Sequence, residues 1–160
     1  MREIKLTIDG KEVQLTDEQL KALRLVVRKP LFDRVDDGGS YYFINCYGDI
    51  KEDSREDDML FNNCNYFNDE AFANQVALHQ LLYRKLLKFA YDNGYEDEQE
   101  WNKTNCHYYV SYNTDECRFY ADVTGIFKHR DVWFCSRDSA NRAIHEVVEP
   151  FVKEHPEFVW

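Results

Sequence analysis

The chain has 160 residues, 44% hydrophobic and 16% aromatic, which is enough apolar material for one domain with a small appendage and excludes wholesale disorder. Its formal charge of −10 argues against direct binding to nucleic acid or to an anionic membrane, since both need clustered Lys and Arg. No apolar run approaches the roughly 18 residues of a membrane span, and the alternating start Met1 to Leu6 lacks the apolar block of a signal peptide, so a cytoplasmic protein is expected.

Residues 2–15 read as a β-hairpin. Ile4, Leu6 and Ile8 alternate with polar residues, Asp9-Gly10 is a turn signal, and Val13 and Leu15 resume the alternation. Thr16-Asp17-Glu18-Gln19 is a capping box for a helix with Leu20, Leu23 and Val27 as its apolar stripe, stopped by Pro30. Residues 1–29 therefore make a ββα appendage that buries little alone and is a candidate homodimerisation arm. Residues 30–39, with Pro30, Asp36-Asp37 and Gly38-Gly39, read as a linker.

From residue 40 the pattern changes. Tyr41 to Cys46 reads as a strand, Tyr47-Gly48-Asp49 as a tight turn, Ile50 as the start of a second strand and Asn63 to Phe67 as a third, with residues 52–58 too acidic for a core element. A long helix follows, from about Asp69 to Asn93. Phe72, Val76, His79, Tyr83, Leu86 and Ala90 form its stripe, Leu78, Leu82 and Phe89 widen it, and Asn93-Gly94 is its C-terminal signal. Residues 95–103 read as an acidic loop with a helical turn around Trp101. Tyr108 to Tyr112, Cys117 to Val123 and Val132 to Cys135 then read as three strands around the turn Asn113-Thr114-Asp115. Ser136 caps a final helix with Ala140, Ile144, Val147, Val148 and Phe151 on its apolar side, Pro150 predicts a distortion near Glu146 to Glu149, and Phe158 and Trp160 should pack back after Pro156.

The two halves of this region echo one another at an offset of 67 residues, Tyr41 onto Tyr108. Tyr41-Tyr42-Phe43-Ile44 meets Tyr108-Tyr109-Val110-Ser111, Asp49 meets Glu116, Lys51 meets Arg118, Tyr66-Phe67 meets Trp133-Phe134, and Ala73-Asn74 meets Ala140-Asn141. The expected fold is α+β: the N-terminal hairpin and helix, then a duplicated β-β-β-α domain over 40–160, copies at about 40–94 and 107–155, with antiparallel sheet covered by helices.

Catalytic chemistry finds little purchase. The histidines His79, His107, His129, His145 and His155 show no metal-ligand spacing, and Cys106-His107 places neighbours on opposite strand faces. The cysteines Cys46, Cys64, Cys106, Cys117 and Cys135 are odd in number without CxxC, as suits reduced thiols; Cys46, Cys117 and Cys135 fall in strand-like stretches where Cys acts as a small hydrophobe. Cys135, at a helix start, is the best thiol nucleophile candidate, but an acidic chain offers no electropositive niche. Glycine-rich phosphate loops and nucleophile elbows are absent, and the carboxylates gather in loops. The expectation is no enzyme, no cofactor and no metal.

Two surfaces remain as candidates. Asp49, Glu52, Asp53, Glu56, Asp57 and Asp58 are accompanied only by Lys51 and Arg55, and Glu96, Asp97, Glu98 and Glu100 stand without a basic residue until Lys103. These clusters flank the long helix, whose ends lie roughly 37 Å apart, and could mimic phosphates toward a basic partner. Tyr47 and Tyr95, beside turns, head a group of tyrosines suited to an interface, together with the strand residues Tyr41, Tyr42, Tyr66, Tyr108, Tyr109, Tyr112 and Tyr120.

The run Tyr41-Tyr42-Phe43-Ile44-Asn45-Cys46-Tyr47-Gly48-Asp49-Ile50, the segment Asn65-Tyr66-Phe67-Asn68-Asp69-Glu70 and the block from Val132-Trp133-Phe134-Cys135-Ser136 to His155-Pro156-Glu157-Phe158 resemble motifs of small acidic proteins encoded by phages, prophages and mobile elements of Gram-positive bacteria. The resemblance spans most of residues 40–160 and concerns strands, turns and helix starts. It implies an accessory, counter-defence context of the anti-CRISPR kind and carries no catalytic residues. The expected function is a non-enzymatic protein in the host cytoplasm that inhibits a defence or nucleic-acid-handling protein, such as an effector nuclease with a basic surface. The alternatives are a small-ligand or nucleotide-signal sponge with a pocket between the repeats, for which Lys128-His129-Arg130 is the dense basic spot, and a hydrolase without a motif.

Overall fold

A computed structural model describes residues 6–8, 11–13, 16, 31–35, 39–55, 57–95, 101, 104–128 and 131–160. The chain divides into two units, Met1–Leu31 and Phe32–Trp160. In the first, strand β1 (Leu6–Ile8) pairs antiparallel with β2 (Lys11–Val13), Leu6 opposite Val13 and Ile8 opposite Lys11, as the alternating pattern requires. The helix expected between Thr16 and Pro30 lies outside the described residues.

The larger unit is mixed α+β. Strand β3 (Tyr41–Ile44) pairs antiparallel with β4 (Ile50–Asp53), from Tyr41 opposite Asp53 to Ile44 opposite Ile50. A short helix α1 (Asp58–Asn62) and a long helix α2 (Glu70–Asp92) follow. Strands β5 (His107–Asn113) and β6 (Arg118–Thr124) form the second antiparallel pair, with His107 opposite Thr124 and Asn113 opposite Arg118. The chain then runs through α3 (Arg137–Ala143), a π-helical turn (Ile144–Val148) and α4 (Glu149–Glu154). Among the described residues every sheet is two-stranded.

The third strands expected at Asn63 to Phe67 and Val132 to Cys135 are therefore a correction. Each segment contributes one isolated bridge, Phe67 to Tyr42 and Phe134 to Tyr108. The acidic stretch read as a loop is also structured: Glu52 and Asp53 end β4, and Asp57 caps α1 by accepting from the Met59 and Leu60 N–H groups at 2.9 and 3.0 Å. Capping draws the chain into a helical turn where hydropathy alone showed nothing to bury.

Helix α2 begins at Asp69, which accepts from the Phe72 N–H at 3.0 Å. It ends in a Schellman turn: Tyr95 N–H donates to the Ala90 carbonyl at 3.0 Å, Gly94 N–H to that of Tyr91 at 3.2 Å, and Gly94 takes φ of +82°. Its buried seam is Ala73, Ala77, Leu78, Leu82, Leu86 and Ala90. The expected stripe was rotated from this, because His79 and Tyr83 counted as apolar yet lie exposed, while alanines let the helix approach its neighbours closely.

The distortion expected from Pro150 takes the form of the π turn. Proline has no N–H to give to the carbonyl four residues back and crowds it, and the Glu149 N–H reaches five residues back to Ile144. Ala140, Ile144, Val148 and Phe151 are all buried, as expected for this helix. The core joins them to Leu78, Leu82 and Leu86 of α2, Val110 and Ala121 of the second sheet, and Val132, Trp133, Phe134 and Phe158. Burying a Leu or Phe side chain in such a core stabilises by about 1.5–3 kcal/mol.

Around β3 the packing is aromatic. Tyr41 stacks on Tyr66 at 3.9 Å between centroids, and Phe61 meets Tyr66 edge-on at 5.5 Å. Residues read as linker join in: Phe32 packs against Phe67 and Phe72, each at 5.5 Å, Arg34 lies 4.3 Å above the Phe61 ring, and the Val35 N–H donates to the Tyr66 hydroxyl at 3.2 Å.

Candidate recognition surface

The β3–β4 turn carries the exposed end of the acidic segment, and Asn45 builds it. Its Oδ1 accepts from the Tyr47 N–H at 2.8 Å and the Asp49 N–H at 3.0 Å, and its own N–H donates to the Asp49 carbonyl at 2.9 Å. Gly48 supplies φ of +91°, a conformation that a side chain would strain. The result is a tied-down backbone with Tyr47 at 87% exposure on its tip.

Of the carboxylates predicted to face a partner, most of the described ones are engaged within the chain. Asp53 accepts from Arg55 through both oxygens, at 2.7 Å from Nη2, and from the backbone N–H groups of Ser54 and Arg55; the Arg55 side chain holds its carboxyl far below the usual range. Asp57 is spent on the α1 cap, and Asp58 pairs with Arg34, a partner distant in sequence. Asp49 accepts from the Asn45 side chain at 3.2 Å with Lys51 at 3.9 Å. Glu52 is exposed opposite Tyr42 and, first among several causes, pushes that phenol's pKa up. Glu56 and the whole second cluster, Glu96, Asp97, Glu98 and Glu100, lie outside the described residues.

Tyr95 departs from expectation: it is buried at 7% exposure, enclosed by the Schellman turn that its own N–H completes. The strand tyrosines do not form an exposed sheet face either. Tyr41 and Tyr66 are buried, and Tyr42, Tyr108, Tyr109, Tyr112 and Tyr120 are half-buried. Burial and a hydrogen bond to Asp122 at 3.0 Å push the Tyr109 phenol up to about 12. Among the described residues the exposed aromatics are Phe32, Tyr47 on its turn, Tyr83 and Tyr91 on α2, Phe127 and Trp160.

All five cysteines are exposed and unpaired, which corrects the reading of Cys46, Cys117 and Cys135 as strand hydrophobes. Cys64 and Cys117 occupy turn positions with φ of 56° and 48°, and Cys135 donates its thiol hydrogen to the Asn93 carbonyl at 3.2 Å. Of Cys106-His107, the cysteine is exposed and the imidazole buried, stacked on Trp101 at 3.7 Å.

A second feature was not legible in the sequence. A groove of about 500 Å³ runs between α2 and residues 131–132 and 158–160. Leu82, Leu86, Val132 and Phe158 make its apolar lining, with Tyr83, Arg84, Asp131 and Trp160 beside them. Gln75 forms it indirectly by donating to the Glu157 carbonyl at 2.6 Å and accepting from the Val159 N–H at 3.0 Å, so that the tail lies along α2.

No protein-family model, curated protein or solved structure matches the chain. Among the described residues no helix is long and apolar enough to cross a membrane, and no group of three or more His, Cys, Asp or Glu is placed to hold a metal ion.

Proposed function

We propose that this protein is a non-enzymatic binding protein, phage-associated in origin, that inhibits a host defence or nucleic-acid-handling protein, with Tyr47 as its anchor. The observation that carries the reading is Tyr47 itself, a large ring at 87% exposure on a turn already fixed by Asn45. Exposing such a ring costs nothing in the fold and buries well in a partner, and a preformed turn loses little entropy on binding. The neighbouring Asp49 and Glu52 add negative charge at the rim, where charge steers a basic partner more than it adds affinity. Because Asp53, Asp57 and Asp58 serve the fold, the acidic contribution of the described residues narrows to Asp49 and Glu52.

We read the larger unit as two related halves. In support, Phe67 and Phe134 each make the single bridge of their half, Asp69 and Ser136 each accept from the N–H three residues on, and Ala73 and Ala140 are both fully buried. The halves differ at Tyr47, whose counterpart is the exposed Thr114.

The test is capture from a lysate of a Gram-positive host with wild-type and Tyr47→Ala protein side by side, then affinity measurement with the partner identified. Loss of that partner with a drop of about thirtyfold or more in affinity is expected for an anchor residue. Equal capture by both proteins overturns the role of Tyr47.

A further inference from the structure

We propose that the outer edge of β4 takes up an extended segment of the partner protein as an added β-strand, one that sets a basic side chain beside Glu52 and an aliphatic side chain beside Ile50. This rests on the binding-protein reading above and names the chemistry of its partner.

The first observation is which edge of the hairpin is open. In an antiparallel pair, alternate residues turn their backbone groups toward the neighbouring strand and the others turn them away. Tyr42 exchanges its N–H and carbonyl with Phe67, each at 2.8 Å, and Ile44 exchanges its own with the Asn65 side chain. Neither residue has backbone groups left for β4. Their opposite numbers, Glu52 and Ile50, therefore turn N–H and carbonyl outward, where no described group takes them.

The second hairpin supplies a contrast. Tyr108 gives its carbonyl to the Phe134 N–H at 2.9 Å, so Val123 opposite it faces outward on β6, as does Ala121 two residues earlier. There side chains occupy the edge. Asp122 Oδ1 accepts from the Val123 N–H at 2.8 Å, and Arg137 donates to the Ala121 carbonyl at 2.9 Å. A strand edge without such cover is a template for pairing.

The side chains beside the open edge select the occupant. Ile50 and Glu52 share one face of β4. On that face Ile50 lines a cavity of about 440 Å³ with Ala77, Leu78, Leu81 and Glu70 of α2. A strand added beside β4 sends every second side chain toward this space, so an aliphatic group fits beside Ile50 and a cation beside Glu52. Glu52 and Glu70 are exposed, and among the described residues neither has an ion pair. Both push up the Tyr42 phenol, Glu52 foremost, which puts the two carboxylates on one side of the hairpin. Arg84, which also lines the cavity, holds its Nη2 at the turn, 3.9 Å from where a Gly48 Cβ would lie. A second copy of the chain suits the edge poorly. Pairing β4 with itself sets Lys51 against Lys51 or Glu52 against Glu52, and like charges directly opposite repel.

Amide hydrogen exchange of the full chain, followed by NMR and corrected for intrinsic rates, tests the edge. Ile50 and Glu52 should exchange about tenfold or more faster than Lys51 and Asp53, whose N–H groups face β3. Equal rates at all four overturn the proposal. So does slow exchange at Ile50 and Glu52 that depends on protein concentration, which would identify a second copy as the occupant. The probe for binding is a blocked seven-residue peptide in which Thr alternates with Lys, Val and Lys, so that Val and Lys stand two residues apart in either strand direction. It should bind with Kd below about 1 mM and slow exchange at Ile50 and Glu52. The same peptide with Glu for Lys should bind about tenfold more weakly. Glu52→Gln should cost the Lys peptide about threefold or more, whereas Asp115→Asn, on the turn of the other hairpin, should leave it within about twofold. Glu52→Pro removes the outward N–H, a change that an edge strand tolerates, and should abolish binding. Matching thermal melts show that folding is not being read; should Glu52→Pro melt early, the two peptides and Glu52→Gln decide. No binding, no preference for Lys over Glu, or equal losses from Glu52→Gln and Asp115→Asn overturns the proposal. Its failure leaves the Tyr47 capture test standing, and equal capture by wild-type and Tyr47→Ala protein leaves the peptide result standing.

Discussion

The side chain of Asn65 hydrogen-bonds the backbone of Ile44 in both directions: its Oδ1 accepts from the Ile44 N–H at 2.8 Å and its Nδ2 donates to the Ile44 carbonyl at 2.8 Å. Two residues away, Phe67 and Tyr42 exchange the same pair of bonds backbone to backbone, each at 2.8 Å. An amide side chain thus continues a β-ladder that the main chain makes only once, leaving the preceding residues free to form α1. Replacing Asn65 with Ala strands two part-buried backbone groups and should cost about 2 kcal/mol. Asn65→Asp keeps an acceptor but loses the donor, and should be destabilised as well at neutral pH. Urea denaturation at pH 7 measures both; a loss under about 0.5 kcal/mol for Asn65→Ala would mean that water replaces the amide freely.

The Gln75 clamp on residues 157–159 gives a second test. Gln75→Ala should lower stability by about 1–2 kcal/mol and should also change the environment of Trp160, whose position depends on the clamped tail. Intrinsic fluorescence compared with a Trp160→Phe reference separates the two effects. An unchanged Trp160 signal would show that ring contacts alone hold the indole.

Tyr109 offers a titration. Its phenol is pushed up to about 12 by burial and by the hydrogen bond to Asp122, against about 10 for an unfolded tyrosine. The folded state therefore holds this proton more tightly, so its stabilising contribution is complete below pH 10 and is lost as pH rises from about 10 to 12. Difference ultraviolet titration of wild-type against Tyr109→Phe should place the missing transition near pH 12. A midpoint at 10 would mean that neither the burial nor the Asp122 contact holds in solution.

Gly94 closes α2 at φ of +82°, with open space where a Cβ would sit. Gly94→Ala meets no atom and pays only for the backbone conformation, about 1 kcal/mol. Tyr47→Ala, at an exposed tip, should change stability by less than about 0.5 kcal/mol. Thermal melts of the two variants thus distinguish a residue needed for the fold from one available to a partner.

Five exposed thiols predict that a disulfide reagent such as DTNB labels all five cysteines per chain without denaturant. Cys135, whose hydrogen is given to the Asn93 carbonyl, should react last. Fewer than five equivalents under native conditions would return some of them to the interior.

Periodicity and local chemistry carried much of the architecture. Alternation located the strand pairs, because side chains on a strand divide between two faces residue by residue. Asp69, Ser136 and Asn93-Gly94 marked helix ends, because their groups satisfy the backbone within a few residues and need no distant partner. Pro150 announced its distortion for the same reason. Long-range partnership was settled only in three dimensions. Asn65 replacing a strand, Arg34 taking Asp58, Tyr95 turning inward, and Gln75 drawing the tail over α2 to make a groove each join residues far apart in the chain or set a side chain's exposure by what surrounds it. A polar side chain in sequence shows what it can bond to. Which group comes within reach, and therefore which acids and tyrosines remain for a partner, is decided by packing.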